Sequence, residues 1–307
     1  MKYKGLISCL FILGMLLTGC TNNSAEEITN YPHPNIAVLG SAASAELSFP
    51  KELESGLNPS AAKLYKLNVS LDAAKEQVEK CFGITLDSAS MQEGPDFDLY
   101  VTDQYIICID RATGYWTYEI SDDREPGAAM PTNAKQDAIS DEDAINIAKK
   151  FVEENQLWDG AFFNTIVTNT TTGGWTAEET VIEKKVWFYP EIDGTAALGI
   201  FRICVTVDLA GNITDVFKQV SDIIGSQNVP LADSEELRSR IASGDYSASF
   251  SEDLTDTTLT SCDLYYYADA YQVEGSTYLY PVYVLAGEGT ADKGNTTFDI
   301  IVDALPD

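Results

Sequence analysis

The chain has 307 residues, a formal charge of −29 and a single histidine, His33. So acidic a surface repels phosphate backbones, which excludes nucleic acid as a partner. One imidazole leaves little for histidine-based catalysis or zinc ligation, while the length suffices for a sizeable core and two domains.

Residues 1–19 form the first readable element. Lys2 and Lys4 give a short positive start, and Leu6 to Leu17 is a nearly unbroken apolar run. Such a run rises about 18 Å as a helix, well short of the roughly 30 Å core of a bilayer. A charged start, a short apolar middle and a small-residue end mark a secretory signal peptide rather than a membrane span. The segment closes on Leu17-Thr18-Gly19-Cys20, which resembles the lipobox of bacterial lipoproteins. That resemblance implies cleavage before Cys20, acylation of its thiol, membrane lipid as a partner and residence on the outer face of the cytoplasmic membrane.

Residues 20–50, rich in Ser, Ala, Asn and Pro, read as a flexible tether that carries His33 between Pro32 and Pro34. Breaker-rich residues 122–137 read as a linker, and Gly225 to Pro230 as a second, shorter break. These divide the remainder into modules at 51–121, 138–224 and 225–307.

Each module shows a capped amphipathic helix. Ser70 precedes a stripe of Leu71, Ala74, Val78 and Cys81, with Gly83 as the stop. Ser140-x-x-Asp143 resembles a capping box ahead of Ala144, Ile147, Ala148 and Phe151. Asp233-x-x-Glu236 leads into Leu237 and Ile241, ending at Gly244. Runs rich in β-branched and aromatic residues follow each helix: Leu99 to Ile109 and Tyr115 to Ile120; Val181 to Tyr189, Ile200 to Val207 and Ile213 to Val220; Leu264 to Tyr271, Tyr278 to Leu285 and Thr296 to Val302. Tight turns join neighbouring runs, which makes them antiparallel. The expected fold class is α+β: two or three modules, each an amphipathic helix packed on an antiparallel β-sheet, with the last two packed together.

A capped helix followed by strands meeting at Asp208…Gly211 or Asp110…Gly114 resembles the PepSY-type module. The last third is similar to the exported regulatory proteins YycH and YycI. This rests on Asp233 to Gly244, Tyr265-Tyr266-Tyr267, Tyr280-Pro281-Val282-Tyr283-Val284 and Phe298 to Leu305. The resemblance implies a non-enzymatic role in binding or restraining a membrane-bound sensor or protease. Members of that family carry a transmembrane helix where this chain has a lipobox.

Chemical motifs are sparse. Ser60-Ala61-Ala62-Lys63 matches S-x-x-K and Ser226-Gln227-Asn228 echoes its companion, but Lys293-Gly294-Asn295 does not supply the third motif. The S-x-x-K therefore reads as a helical turn after Asn58-Pro59. Asp122, Asp123 and Glu125, like Asp253 and Asp256, lack the alternation of a calcium loop and read as solvated surface. Cys81, Cys108, Cys204 and Cys262 form no C-x-x-C pair and sit among apolar residues, so they read as buried small hydrophobes; disulfide pairing stays open. No catalytic residue, metal ligand or cofactor is expected.

Binding candidates are aromatic. Tyr265 and Tyr267 share one face of a predicted strand, with Tyr266 on the other beside Leu264 and Ala268. Tyr266 is expected to be buried, and Tyr265 and Tyr267 to form an exposed contact surface. Trp175, in the loop Thr172-Gly173-Gly174-Trp175, is a third candidate. The expected function is a non-enzymatic cell-surface lipoprotein that binds or regulates another envelope protein or peptide. The alternatives are a solute-binding lipoprotein of an importer, for which the strand–helix rhythm of parallel lobes is missing, and a wall-active hydrolase.

Overall fold

The computed structural model describes residues 33–36, 45–57, 59–87, 91–121, 139–172, 180–249, 253–269 and 277–307. After a 3-10 turn at Lys51–Gly56 come β1 (Ala61–Leu67), α1 (Leu71–Phe82), β2 (Met91–Glu93), β3 (Phe97–Val101), β4 (Tyr105–Asp110) and β5 (Trp116–Ile120). The middle holds α2 (Asp141–Glu154), β6 (Phe162–Thr172), β7 (Thr180–Ile192), β8 (Thr195–Gly199), β9 (Ile203–Asp208) and β10 (Ile213–Lys218). Then follow β11 (Ile223–Pro230), α3 (Ser234–Ser243), β12 (Ser247–Ala248), β13 (Thr255–Leu259), β14 (Asp263–Ala268), β15 (Thr277–Ala291) and β16 (Gly294–Asp303).

The α+β expectation is corrected by this arrangement. Among the described residues strand accounts for 49% and helix for 18%, and their sixteen strands link into one mixed sheet rather than a small sheet under each helix. Pairing ignores the expected module limits. β1 pairs with β11 and with β15, β5 pairs with β10, and β8 runs parallel to β14. The hydrogen-bonded path is β11-β1-β15-β14-β8-β7-β9-β10-β5-β4-β3-β2, with β6 on β7, β16 and β13 on β15, and β12 on β16. Turn signals reveal which neighbouring strands form hairpins, but they carry no information about edges joined across the chain.

The helices start and stop where local chemistry dictates. Ser70 Oγ accepts from the Ala73 amide at 3.2 Å, and Gly83 ends α1 in the left-handed region. Ser140 Oγ accepts from Asp143 N at 3.0 Å and donates to Asp143 Oδ2 at 2.7 Å, a reciprocal cap for α2. Asp233 caps α3 through the Glu235 and Glu236 amides, with Gly244 at φ 79 closing it.

Three segments differ from expectation. Ser60-Ala61-Ala62-Lys63 leads into β1, not a helical turn. Gly225 to Pro230 is most of β11. The run Leu99 to Ile109 breaks between β3 and β4, where Thr102 Oγ1 accepts from the Gln104 and Tyr105 amides and turns the chain.

Two large cores result. Ala144, Ala148 and Val152 of α2 and Ala74 and Val78 of α1 join Val186, Val205, Val216 and Trp116. Leu237 and Ile241 of α3 join Tyr283, Leu285, Ile300 and Val302. Phe49, within the segment read as tether, is buried in this second core at 6% exposure.

Candidate functional site: the uncovered sheet face

The expected aromatic contact surface is not open. Tyr266 is buried, as expected, in the core shared with Ala268 and Leu279. Tyr267, expected to be exposed, is only 4% exposed: it lies opposite Tyr280, and its ring edge comes close to Gly199. Tyr265 is half-buried, and Tyr283 is buried. The parallel strand β8 on one side and β15 on the other enclose β14, an arrangement the residue alternation of one strand does not encode. Trp175 and Cys20 lie outside the described residues.

Lys63 of the S-x-x-K sequence turns to the β7–β8 turn, where its Nζ meets Asp193 Oδ2 at 2.7 Å. Tyr65 Oη donates to the same carboxylate. Asp193 (φ 49) and Gly194 (φ 81) form the left-handed turn that presents it. His33 is also placed: its Nδ1 is 2.5 Å from Asp303 Oδ2 at the end of β16.

Partly exposed apolar side chains gather elsewhere. Register across β6-β7-β9-β10-β5-β4-β3 puts Ile166, Trp187, Cys204, Phe217, Thr117, Cys108 and Leu99 in one row of directly opposed residues. Opposed residues project to the same side. The alternate residues Val186, Val205, Val216 and Ile107 face the core with α1 and α2, so this row is on the other side of the sheet. Ile166, at 41%, and Val101 and Phe97, each at 39%, are exposed apolar side chains of that side; Trp187 and Phe217 are half-buried, and Cys204 and Thr206 on the central strand are buried.

Trp187 anchors the row. Its indole Nε1 donates to Thr168 Oγ1 at 3.1 Å, and the Arg202 guanidinium lies 4.8 Å from its ring centre. One step along the strands runs a polar row of Lys185, Thr206, Asp215 and Glu119. Burial pushes the Asp215 carboxyl up to about 6, against Lys185 and a 3.3 Å hydrogen bond from Thr206 Oγ1; Glu119 and Glu183 push the same way as burial. An apolar strip flanked by carboxylates can hold an extended apolar segment with basic flanks. Sequence reading missed Trp187, Phe217 and Asp215 because each alternation looks like an ordinary half-buried strand. The signal available was large apolar residues on both faces of β7 and β10.

Among the described residues no group of three or more His, Cys, Asp or Glu side chains could hold a metal, and no helix is long and apolar enough to cross a membrane. No family model matches the chain, and no curated protein matches it. Among solved structures it is similar to an uncharacterized protein from Eubacterium rectale, with 12% identity over 80% of this chain and 84% of that one, at a TM-score of 0.42. It is also similar to the Bacillus megaterium YpeB C-terminal domain, with 15% identity over 78% of this chain and 94% of that one, at a TM-score of 0.30. Likenesses this distant carry no functional assignment.

Proposed function

We propose that this protein is a lipid-anchored, PepSY-like and YycH–YycI-like binder of another envelope protein or peptide, acting without chemical turnover. Acylated Cys20 holds it on the outer face of the cytoplasmic membrane. The observation that supports the binding role is the partly exposed row from Ile166 through Trp187 to Phe217, closed at its centre by the buried Cys204, beside Asp215 and Glu119. Apolar surface of this kind gains free energy when a partner removes it from water. The occupant is an extended, apolar segment with Lys or Arg at its ends, matched to a surface of charge −29 overall.

The test is cross-linking in cells, with capture compared between wild type and Trp187→Ala. The half-buried Trp187 is not needed by the core, so the variant should melt close to wild type. Capture should weaken by about 2 kcal/mol or more if the indole is an anchor. Undiminished capture of the same partner by Trp187→Ala would remove the open face from the proposal.

A further inference from the structure

The helix-covered face of the sheet buries three charged side chains, and two of them are neutralised. Asp98 is held by Lys75 Nζ at 2.8 Å and by Arg111 at 2.6 Å. Lys184 reaches Asp141 at 2.5 Å and Asn169 at 3.0 Å. Lys218, on β10 between Ile203 and Trp116, is only 9% exposed, and its ammonium makes no hydrogen bond or ion pair with a described residue. A solitary ammonium is costly to remove from water. Burial drops its pKa to about 8, opposed by the fields of Asp222 and Cys81.

The amine lines a cavity of about 110 Å³ together with Ser70, Gln77, Thr113, Ser221 and Asp222. That is several times the space one water needs, enough for a small oxyanion. Ser70 is the cap of α1, a 12-residue helix, so its positive end opens on the cavity. Gln77 Oε1 accepts from the Trp116 indole Nε1 at 3.1 Å, which leaves the amide NH2 as its donor end. The Ser221 hydroxyl is weakly engaged, 3.4 Å from the Thr113 carbonyl.

We propose that Lys218, Ser70 and Ser221 form a binding site for a small oxyanion, the carboxylate or phosphate head of a ligand. The ammonium supplies the charge, the two hydroxyls and the Gln77 amide supply directed donors, and the helix end adds a fixed dipole. Asp222 lines the same cavity with an exposed carboxylate, so a singly charged head suits the site better than a doubly charged one. This site lies on the side of the sheet opposite Trp187 and stands or falls independently of the open face.

The experiment titrates the purified protein near pH 7 with acetate, inorganic phosphate and, as an unspecific salt control, chloride, following binding by calorimetry. Saturable binding of acetate or phosphate but not chloride is expected, and Lys218→Met should weaken it roughly tenfold to a hundredfold. Which probe binds tells carboxylate from phosphate. Should Lys218→Met fail to fold, wild-type protein is treated with cyanate, which is small enough to enter, and carbamylation at Lys218 is read by mass spectrometry. The occupying anion should protect Lys218 while surface lysines label as before. Equal binding by Lys218→Met, a response to chloride alone, or labelling of Lys218 that neither anion changes would each overturn the site.

Discussion

The rings of Tyr65 and Tyr266 meet edge to face, with centroids 5.1 Å apart and planes at 68°. One belongs to β1 and the other to β14, so this pair joins strands from opposite ends of the chain. With Asp193 receiving the Tyr65 hydroxyl, it ties β1, the β7–β8 turn and β14 into one knot. Removing the buried Tyr266 ring leaves a cavity at that junction. Tyr266→Ala is expected to cost about 3 kcal/mol or more, and Tyr267→Ala a similar amount, whereas Tyr265→Ala costs about 1 kcal/mol. Urea unfolding of the three variants checks this; a Tyr267→Ala midpoint equal to wild type would contradict its burial against Gly199 and Tyr280.

Asp215 should make the fold respond to pH. Its folded pKa, about 6, stands above the ordinary 3.8, so the protonated form favours the native state. That contribution is fully present below the unfolded value and is lost as pH rises through 6. Asp215→Asn should therefore stabilise the protein at pH 7–8 by about 1–2 kcal/mol, after allowance for the partial exposure of the group. The advantage should vanish near pH 4. Thermal melts of both proteins across this range measure it, and a constant difference would exclude Asp215 as the source.

Asp98 has the opposite sign. Burial alone would raise its pKa, but hydrogen bonds from Lys75 and Arg111 outweigh burial and hold it below the usual carboxylate range. Its stabilising effect is present above the unfolded value and lost as pH falls through the folded one. Asp98→Asn is expected to cost about 2–3 kcal/mol at neutral pH. The gap to wild type should close on acidification below about pH 4, and unfolding free energies at several pH values report it.

All four described cysteines are free thiols. Burial pushes Cys204 and Cys262 up to about 12 and Cys81 up to about 11. Thiolate is the reactive form, so native protein should label very slowly with iodoacetamide at these positions, and rapidly after denaturation without reductant. Failure to label after unfolding would indicate pairing.

Cys20→Ala should abolish membrane anchoring, releasing the protein or leaving an uncut precursor, since acylation requires the thiol. Fractionation and N-terminal sequencing decide between these outcomes and a protein that remains tethered and cut at the same place.

Local chemistry was readable from the sequence and long-range pairing was not. The caps at Ser70, Ser140 and Asp233 and the Asp110 and Asp208 turns involve groups within four residues of each other, so composition and spacing identify them. In β15 the sequence pattern ends at Leu285, yet the strand continues through Gly287. A Cβ there would come within 2.4 Å of the Phe298 ring, so the missing side chain of one strand makes room for the aromatic of its neighbour. No local reading of Gly-Glu-Gly suggests a strand interior. Lys218 was overlooked likewise: it sits in the alternation Val216, Lys218, Val220, all buried, where only the register with Trp116 and Ile203 shows that it faces inward. The candidate row itself is assembled from seven strands, each of which supplies one member.

The position of β1 sets an order on folding. Tyr65 pairs with Ser226 in β11 and with Leu279 in β15, so the first described strand finds both neighbours only in the second half of the chain. Closing loops of that span is entropically slow, and strands waiting for distant partners expose unpaired edges meanwhile. The chain cannot lay down this sheet strand by strand from its N-terminus. Leu64, Tyr65 and Leu67 stay unsheltered until residues near 279 arrive, which makes the interval before β15 docks the period of greatest aggregation risk.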